Sequence, residues 1–316
     1  MLPTMTVSHD SAIHRSSGHT RLEDGSASTP PRVAPAYRPF WYAAVLAVLL
    51  AVAALVGILD RSAYAGVPDL LRETWRAQDM VNLVLTPVLL LAWRRALAGS
   101  LRAHLVVVGL LTWFAYCYAH LAFAAPFTPV FLVYVAILGM AGFGALDGLV
   151  RTDAATVAPV LEAAPRRAAG WFLVVAGVGI AGLWLSDIAL GMVGGTPANL
   201  HLAALPNPTW VIDLGWLIPM AVAAGVALLR RRVGGPLLAA VLMVALTALS
   251  VAMLALTPVA LVAGLGEDPV VAPQLVVFTV VFVVLGGIEV WLLGAGSRRM
   301  ERPVGSWLRP GWWDAR

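Results

Sequence analysis

Eight stretches of apolar residues, each about 20 long and set apart by short polar connections, constrain this chain more than any motif in it. At about 1.5 Å of rise per residue, some 20 residues cross the roughly 30 Å hydrocarbon layer of a bilayer. The stretches lie at 40–59, 80–98, 102–124, 127–150, 169–192, 208–229, 236–263 and 271–296. Backbone N–H and C=O groups in lipid have no water to bond, so spans of this length are read as helices. The expected fold class is all-α: a polytopic helical membrane bundle of about eight transmembrane helices. Composition agrees, with 60% hydrophobic and 12% charged residues and a mean hydropathy of +0.85, far from the soluble average.

The placement of arginine then orders the spans. All 21 basic residues are arginine, and short connections rich in positive charge stay on the cytoplasmic side of a bacterial plasma membrane. Arg32 and Arg38 precede the first span. Arg94, Arg95 and Arg102 join spans two and three, and Arg151, Arg166 and Arg167 join four and five. Arg230, Arg231 and Arg232 follow the sixth, and Arg298, Arg299, Arg302, Arg309 and Arg316 follow the eighth. Of the intervening connections, three carry no arginine; the first carries Arg61, Arg72 and Arg76, balanced by Asp60, Asp69, Glu73 and Asp79. Both termini are therefore expected in the cytoplasm.

Three regions follow: a disordered tail over 1–38, the bundle over 39–297, and a basic aromatic tail over 298–316. The first tail is rich in Ser, Thr and Pro without apolar periodicity. Its His9, His14 and His19 lack the cysteines or acidic cage of a metal site. Val67 to Gln78 carries Leu70, Leu71 and Trp75 at helical spacing and reads as a short amphipathic helix on the outer surface.

Spans one to four also match spans five to eight in loop pattern. Asp60 and Asp187 stand near the outer ends of spans one and five, and Asp79 or Asn82 and Asp213 near those of spans two and six. Pro87 and Pro219 follow five or six residues after Asn82 and Asp213. Both halves start on one side, which suggests a 4+4 parallel pseudo-repeat.

Function turns on polar groups at membrane depth, where an ionisable side chain is expensive and is usually paired or functional. Asp79, Asn82, Tyr116, His120, Asp187 and Asp213 all fall in the outer half of the bundle and are the candidate substrate-binding residues of an outward-facing polar pocket. Tyr116 and His120 are four residues apart and Asp79 and Asn82 three, so each pair shares a helix face. The competing reading places these groups at the water boundary, with the tyrosines and Trp75, Trp113, Trp171, Trp184, Trp210 and Trp216 as an aromatic belt. Glu289, between Gly286-Gly287 and Trp291, is the deepest carboxyl toward the basic side. It is a candidate for proton coupling, the alternative being a structural hydrogen bond to a neighbouring helix. Asp147 is expected to pair with Arg151 one turn on. Cys117 reads as a small packed residue.

No metal site and no cofactor are expected. There is no Walker lysine, no G-x-S-x-G, no H-E-x-x-H and no Cys-x-x-Cys, and the absence of lysine excludes a retinal Schiff base. The arginine-only charge carries no nucleic-acid inference; the expected partners are membrane lipids and a membrane-protein partner or second copy.

A resemblance is carried by Gln78-Asp79-Met80-Val81-Asn82-Leu83 with Pro87, by Trp93-Arg94-Arg95 and Ser100-Leu101-Arg102, and by Tyr116-Cys117-Tyr118-Ala119-His120 with Pro126 to Tyr134. Over residues 70 to 150, and less clearly from Asp213 to Arg232, the chain resembles a group of actinobacterial-type multi-pass membrane proteins in which a hairpin with a short basic turn precedes a Tyr-rich helix end. The resemblance implies a bacterial plasma membrane and brings no activity. Three classes stay open: a secondary transporter or carrier, taken first; a membrane-embedded enzyme acting on a lipid-like substrate; and a sensor or assembly subunit without catalysis.

Overall fold

The computed structural model describes residues 38–60, 62–155, 158, 165–195 and 207–297. Both tails, with the three amino-terminal histidines and the carboxy-terminal arginines and tryptophans, lie outside the described residues. Among those residues, eight helices are long and apolar enough to cross a membrane: α1 Phe40–Leu59, α2 Asp69–Leu97, α3 Leu101–Ala124, α4 Phe131–Arg151, α5 Arg166–Met192, α6 Pro208–Leu229, α7 Gly235–Val262 and α8 Val271–Ser297. The protein is an all-α polytopic membrane bundle. Because successive helices run in opposite directions, the arginine-bearing connections gather at one end, the basic end, and the arginine-poor connections at the other.

Local chemistry sets the helix limits. Ser100 Oγ accepts from Ala103 N at 3.3 Å and caps α3. Gly99, with φ of +89°, makes the left-handed turn from α2 that a side chain would strain. Asn207 Oδ1 accepts from Thr209 N at 2.9 Å, and Pro208 opens α6, where its missing N–H has no partner to lose.

The segment expected as a separate surface helix at Val67–Gln78 is instead the first turns of α2, which is a single helix of 29 residues. Its apolar face packs inward rather than onto a headgroup layer: Leu70, Leu71 and Trp75 are all buried. Its charged face is self-compensating. Arg72 bonds Asp69 at 2.7 Å and Glu73 at 3.2 Å, and Arg76 bonds Glu73 at 3.1 Å and the Ile58 carbonyl at 3.3 Å.

Helix α3 is the hub. In it 89% of the apolar window is buried, against 17% in α8, and it packs on α2, α4 and α7. Helices α1 to α4 close on themselves, because α1 also packs on α4. At the basic end this closure is fastened by polar contacts. Arg38 Nε meets Asp147 Oδ2 at 3.1 Å, and Tyr42 Oη donates to the Met140 carbonyl at 2.6 Å. Asp147, expected to pair with Arg151, thus reaches across to Arg38, two residues before α1.

In the second half α5 pairs with α6 and α7 with α8, and α7 leans on α2 and α3. Glycines let α5 and α6 meet: a Cβ on Gly225 would stand 2.7 Å from the Gly170 carbonyl and one on Gly170 2.7 Å from Leu229. Helices α5 and α8 do not pack along each other, and a cavity lies between them.

Candidate functional site

The single outward pocket expected from the sequence is divided in two by α3. Toward α1 and α2 its polar residues are sealed. Asp79 and Asn82, on one face of α2, are both 0% exposed. Tyr64 Oη donates to Asp79 Oδ2 at 2.6 Å, and Trp113 Nε1 donates to Asn82 Oδ1 at 2.8 Å. Gly57 of α1 is what admits the carboxyl, since a Cβ there would overlap Asp79 Oδ2. Tyr118 and Tyr134 lie beside them with tilted rings, centroids 5.9 Å apart. Four polar atoms in this cluster, Asp79 Oδ1, Asn82 Nδ2, Tyr118 Oη and Tyr134 Oη, make no hydrogen bond of normal length among the described residues. The cluster is a polar core, and neither Asp79 nor Asn82 reaches the chamber on the other side of α3.

That chamber has a volume of about 250 Å³ and is walled by α5, α6, α7 and α8, with the first turns of α2 and the end of α3 closing its arginine-poor end. Tyr116, His120, Asp213 and Glu289 all line it. Asp213 accepts from Tyr116 Oη on one oxygen at 2.9 Å and from Trp184 Nε1 on the other at 2.8 Å. Three helices, α3, α5 and α6, thus meet on one carboxyl.

The backbone of α6 explains how Asp213 comes to that point. Residues Asp213–Leu217 form a π-helical turn, in which Ile218 N bonds the Asp213 carbonyl. Two residues after this turn stands Pro219, which has no N–H to donate and whose ring would strike the Gly215 carbonyl of a regular α-helix. Widening by one residue relieves that clash, and such π turns are frequent at functional sites.

His120 sits over Tyr116, ring centroids 4.6 Å apart. Its Nδ1 lies 3.0 Å from the Tyr116 carbonyl oxygen. A carbonyl only accepts, so Nδ1 carries the hydrogen, and in the neutral ring Nε2 is the nitrogen with the lone pair. His120 and Asp213 are therefore linked through one tyrosine. Asp187 is buried on α5, three residues beyond Trp184, and does not line the chamber.

Glu289 stands eighteen residues into α8, about 27 Å along it at 1.5 Å per residue. Ser250 Oγ of α7 donates to its Oε2 at 2.9 Å, and Gly286 leaves room for Ser250. The hydrogen bond to a neighbouring helix thus exists, while the carboxyl also lines the chamber.

Between these two levels the walls are almost wholly apolar, Phe172, Ile180, Leu249, Phe278, Phe282 and Leu285 among them. Some wall residues are well exposed: Leu183 of α5 at 47%, and Val277 and Val281 of α8 at 57% and 42%. Among the described residues, no group of three or more His, Cys, Asp or Glu side chains could hold a metal ion.

The sequence reading placed Tyr116 with Asp213 among the pocket residues, but it left Trp184, the second donor to Asp213, to the aromatic belt and missed Gln78, which lines the chamber. The spacing of Pro219 after Asp213 was the available signal for the distorted turn. Comparison of the chain with protein-family models, with curated proteins and with solved structures finds no match.

Proposed function

We propose that this chain is a carrier that holds a lipid-like amphiphile in the chamber between α5 and α8, with the arginine-rich connections and both termini in the cytoplasm of a bacterial plasma membrane. The observation that carries this reading is the chamber itself. One space of about 250 Å³ joins the Tyr116–His120–Asp213 level to Glu289 and is walled between them by apolar side chains. A hydrophilic solute would find few partners along that wall, whereas an alkyl or isoprenoid chain is matched to it and reaches it from the bilayer between α5 and α8. The carboxyl of Glu289 provides a second polar level, the arrangement a proton-coupled carrier uses.

Photolabelling tests the proposal. The protein in lipid nanodiscs is irradiated with a diazirine-bearing decanol, and the adducts are mapped by mass spectrometry. Adducts are expected on chamber residues such as Leu249 and Phe282, with their loss in Ala176→Trp, which fills the space. Labelling confined to outward-facing residues such as Val48 and Val84 would refute it.

A second reading, a membrane-embedded enzyme, is favoured by the Nε2 lone pair of His120, a general base within reach of a bound head group. It predicts that His120→Ala retains the photolabel and abolishes chemical turnover of a bound membrane lipid.

A further inference from the structure

The chamber lining holds two carboxyls, an imidazole and a carboxamide. Gln78, 7% exposed, also lines the chamber, with its Oε1 buried and without a hydrogen-bond partner among the described residues. His120 presents Nε2 as an acceptor, because its Nδ1 hydrogen is spent on the Tyr116 carbonyl. Glu289, 2% exposed, has one donor, Ser250, on one of its two oxygens. Asp213 is a second carboxyl in the same lining.

Positive charge is missing from this surface. No arginine lines the chamber, and the chain has no lysine. The arginines closest in sequence to the α2 part of the lining, Arg72 and Arg76, are engaged by Asp69 and Glu73. An anionic head group would find no cation to pair with in this lining, which instead holds the carboxyls of Asp213 and Glu289. A head group that brings positive charge supplies what the lining lacks, and the aromatic residues Trp75, Tyr116 and Trp184 lie in the same lining.

We infer that the chamber's ligands are lipophilic cations, an apolar chain or ring bearing an amine or quaternary ammonium, and that phosphate-headed lipids are excluded; this rests on the lipid-like reading above and specifies its cargo.

Three probes of one chain length separate the possibilities: radiolabelled decyltrimethylammonium, decanol and decanesulfonate. Equilibrium binding is measured on the full chain in phosphatidylcholine nanodiscs, with each probe's uptake by empty nanodiscs subtracted. The expected result is a preference of about tenfold or more for the ammonium over decanol, with the sulfonate weakest. The double variant Asp213→Asn, Glu289→Gln should lose the preference, binding the ammonium no more tightly than decanol. Decanol or sulfonate binding as tightly as the ammonium in the unaltered chain, and blocked by Ala176→Trp, would overturn the cationic assignment and leave the lipid-like reading standing. If no probe exceeds empty nanodiscs, that reading falls and the inference with it.

Discussion

In the first half of the bundle α1 packs on α4 and closes the helices around their polar residues; in the second, the corresponding pair, α5 and α8, stands apart and leaves a chamber. The two halves carry similar polar inventories at similar depth. Asp79 receives one tyrosine hydroxyl, and Asp213 receives a tyrosine hydroxyl and an indole N–H. What differs is the space beside each carboxyl. Gly57 lets α1 come close enough to seal Asp79, whereas the π turn before Pro219 sets Asp213 at the edge of an open volume. Polar residues at equal depth therefore do different work according to whether a neighbouring helix has closed over them. The loop-level likeness of the two halves does not extend to their packing.

The sharpest way to break this contrast is to add the same bulk on each side. Gly57→Leu would drive a side chain into Asp79 and Tyr64, and a packed interior answers such insertion with a loss of up to about 3 kcal/mol or more. Ala176→Leu adds its methyl groups to the chamber, where space exists, and should change stability by less than about 1 kcal/mol. Equilibrium SDS titration of the detergent-solubilised protein measures both. Equal losses would show that the chamber is as closed to added atoms as the first half.

Removing the carboxyl of the second half comes next in size. Asp213→Ala leaves Tyr116 Oη and Trp184 Nε1 without their acceptor, and each buried donor so stranded costs about 1–3 kcal/mol. The expected loss is about 2–4 kcal/mol, with Asp213→Asn losing less because its amide keeps one acceptor oxygen. A loss below about 1 kcal/mol in the same titration would mean that the chamber already hydrates these donors.

Depth and helix face were legible in the sequence; neighbours were not. The apolar runs and the arginine alternation carry the eight helices, and the three- and four-residue spacings correctly put Asp79 with Asn82 and Tyr116 with His120. Nothing along a single chain says which helix those faces meet. Asp79 and Asp213 look equivalent in one dimension because hydropathy reports distance from the membrane surface alone. The start of α2 was misread for a related reason: its helical periodicity is real, but whether Leu70 and Trp75 bury against lipid headgroups or against other helices depends on tertiary packing. Asp147 found Arg38 rather than Arg151 because the facing helix end lies nearer than sequence spacing suggests.

Within the sealed half, two hydroxyl deletions refine the contrast. Tyr64→Phe takes from Asp79 the only hydrogen bond it has among the described residues and is expected to cost about 1–3 kcal/mol. The same deletion at the equivalent depth of the chamber, Tyr116→Phe, leaves Asp213 its Trp184 donor and should cost less. A larger loss at Tyr116 than at Tyr64 would contradict the assignment of the first half as the sealed one.

Tyr134→Phe gives the smallest change and the opposite sign. The Tyr134 ring is buried at 1% exposure, but its hydroxyl has no partner of normal hydrogen-bond length among the described residues. Burying a hydroxyl without a partner carries a penalty that phenylalanine does not have, while the ring contacts with Tyr118 are kept. Stability should stay level or rise by up to about 1 kcal/mol, read from the same titration. A loss of more than about 1 kcal/mol would show that the hydroxyl is engaged in the membrane-embedded protein, and the cluster around Asp79 would then have to be reclassified from a sealed core to a second site that binds something.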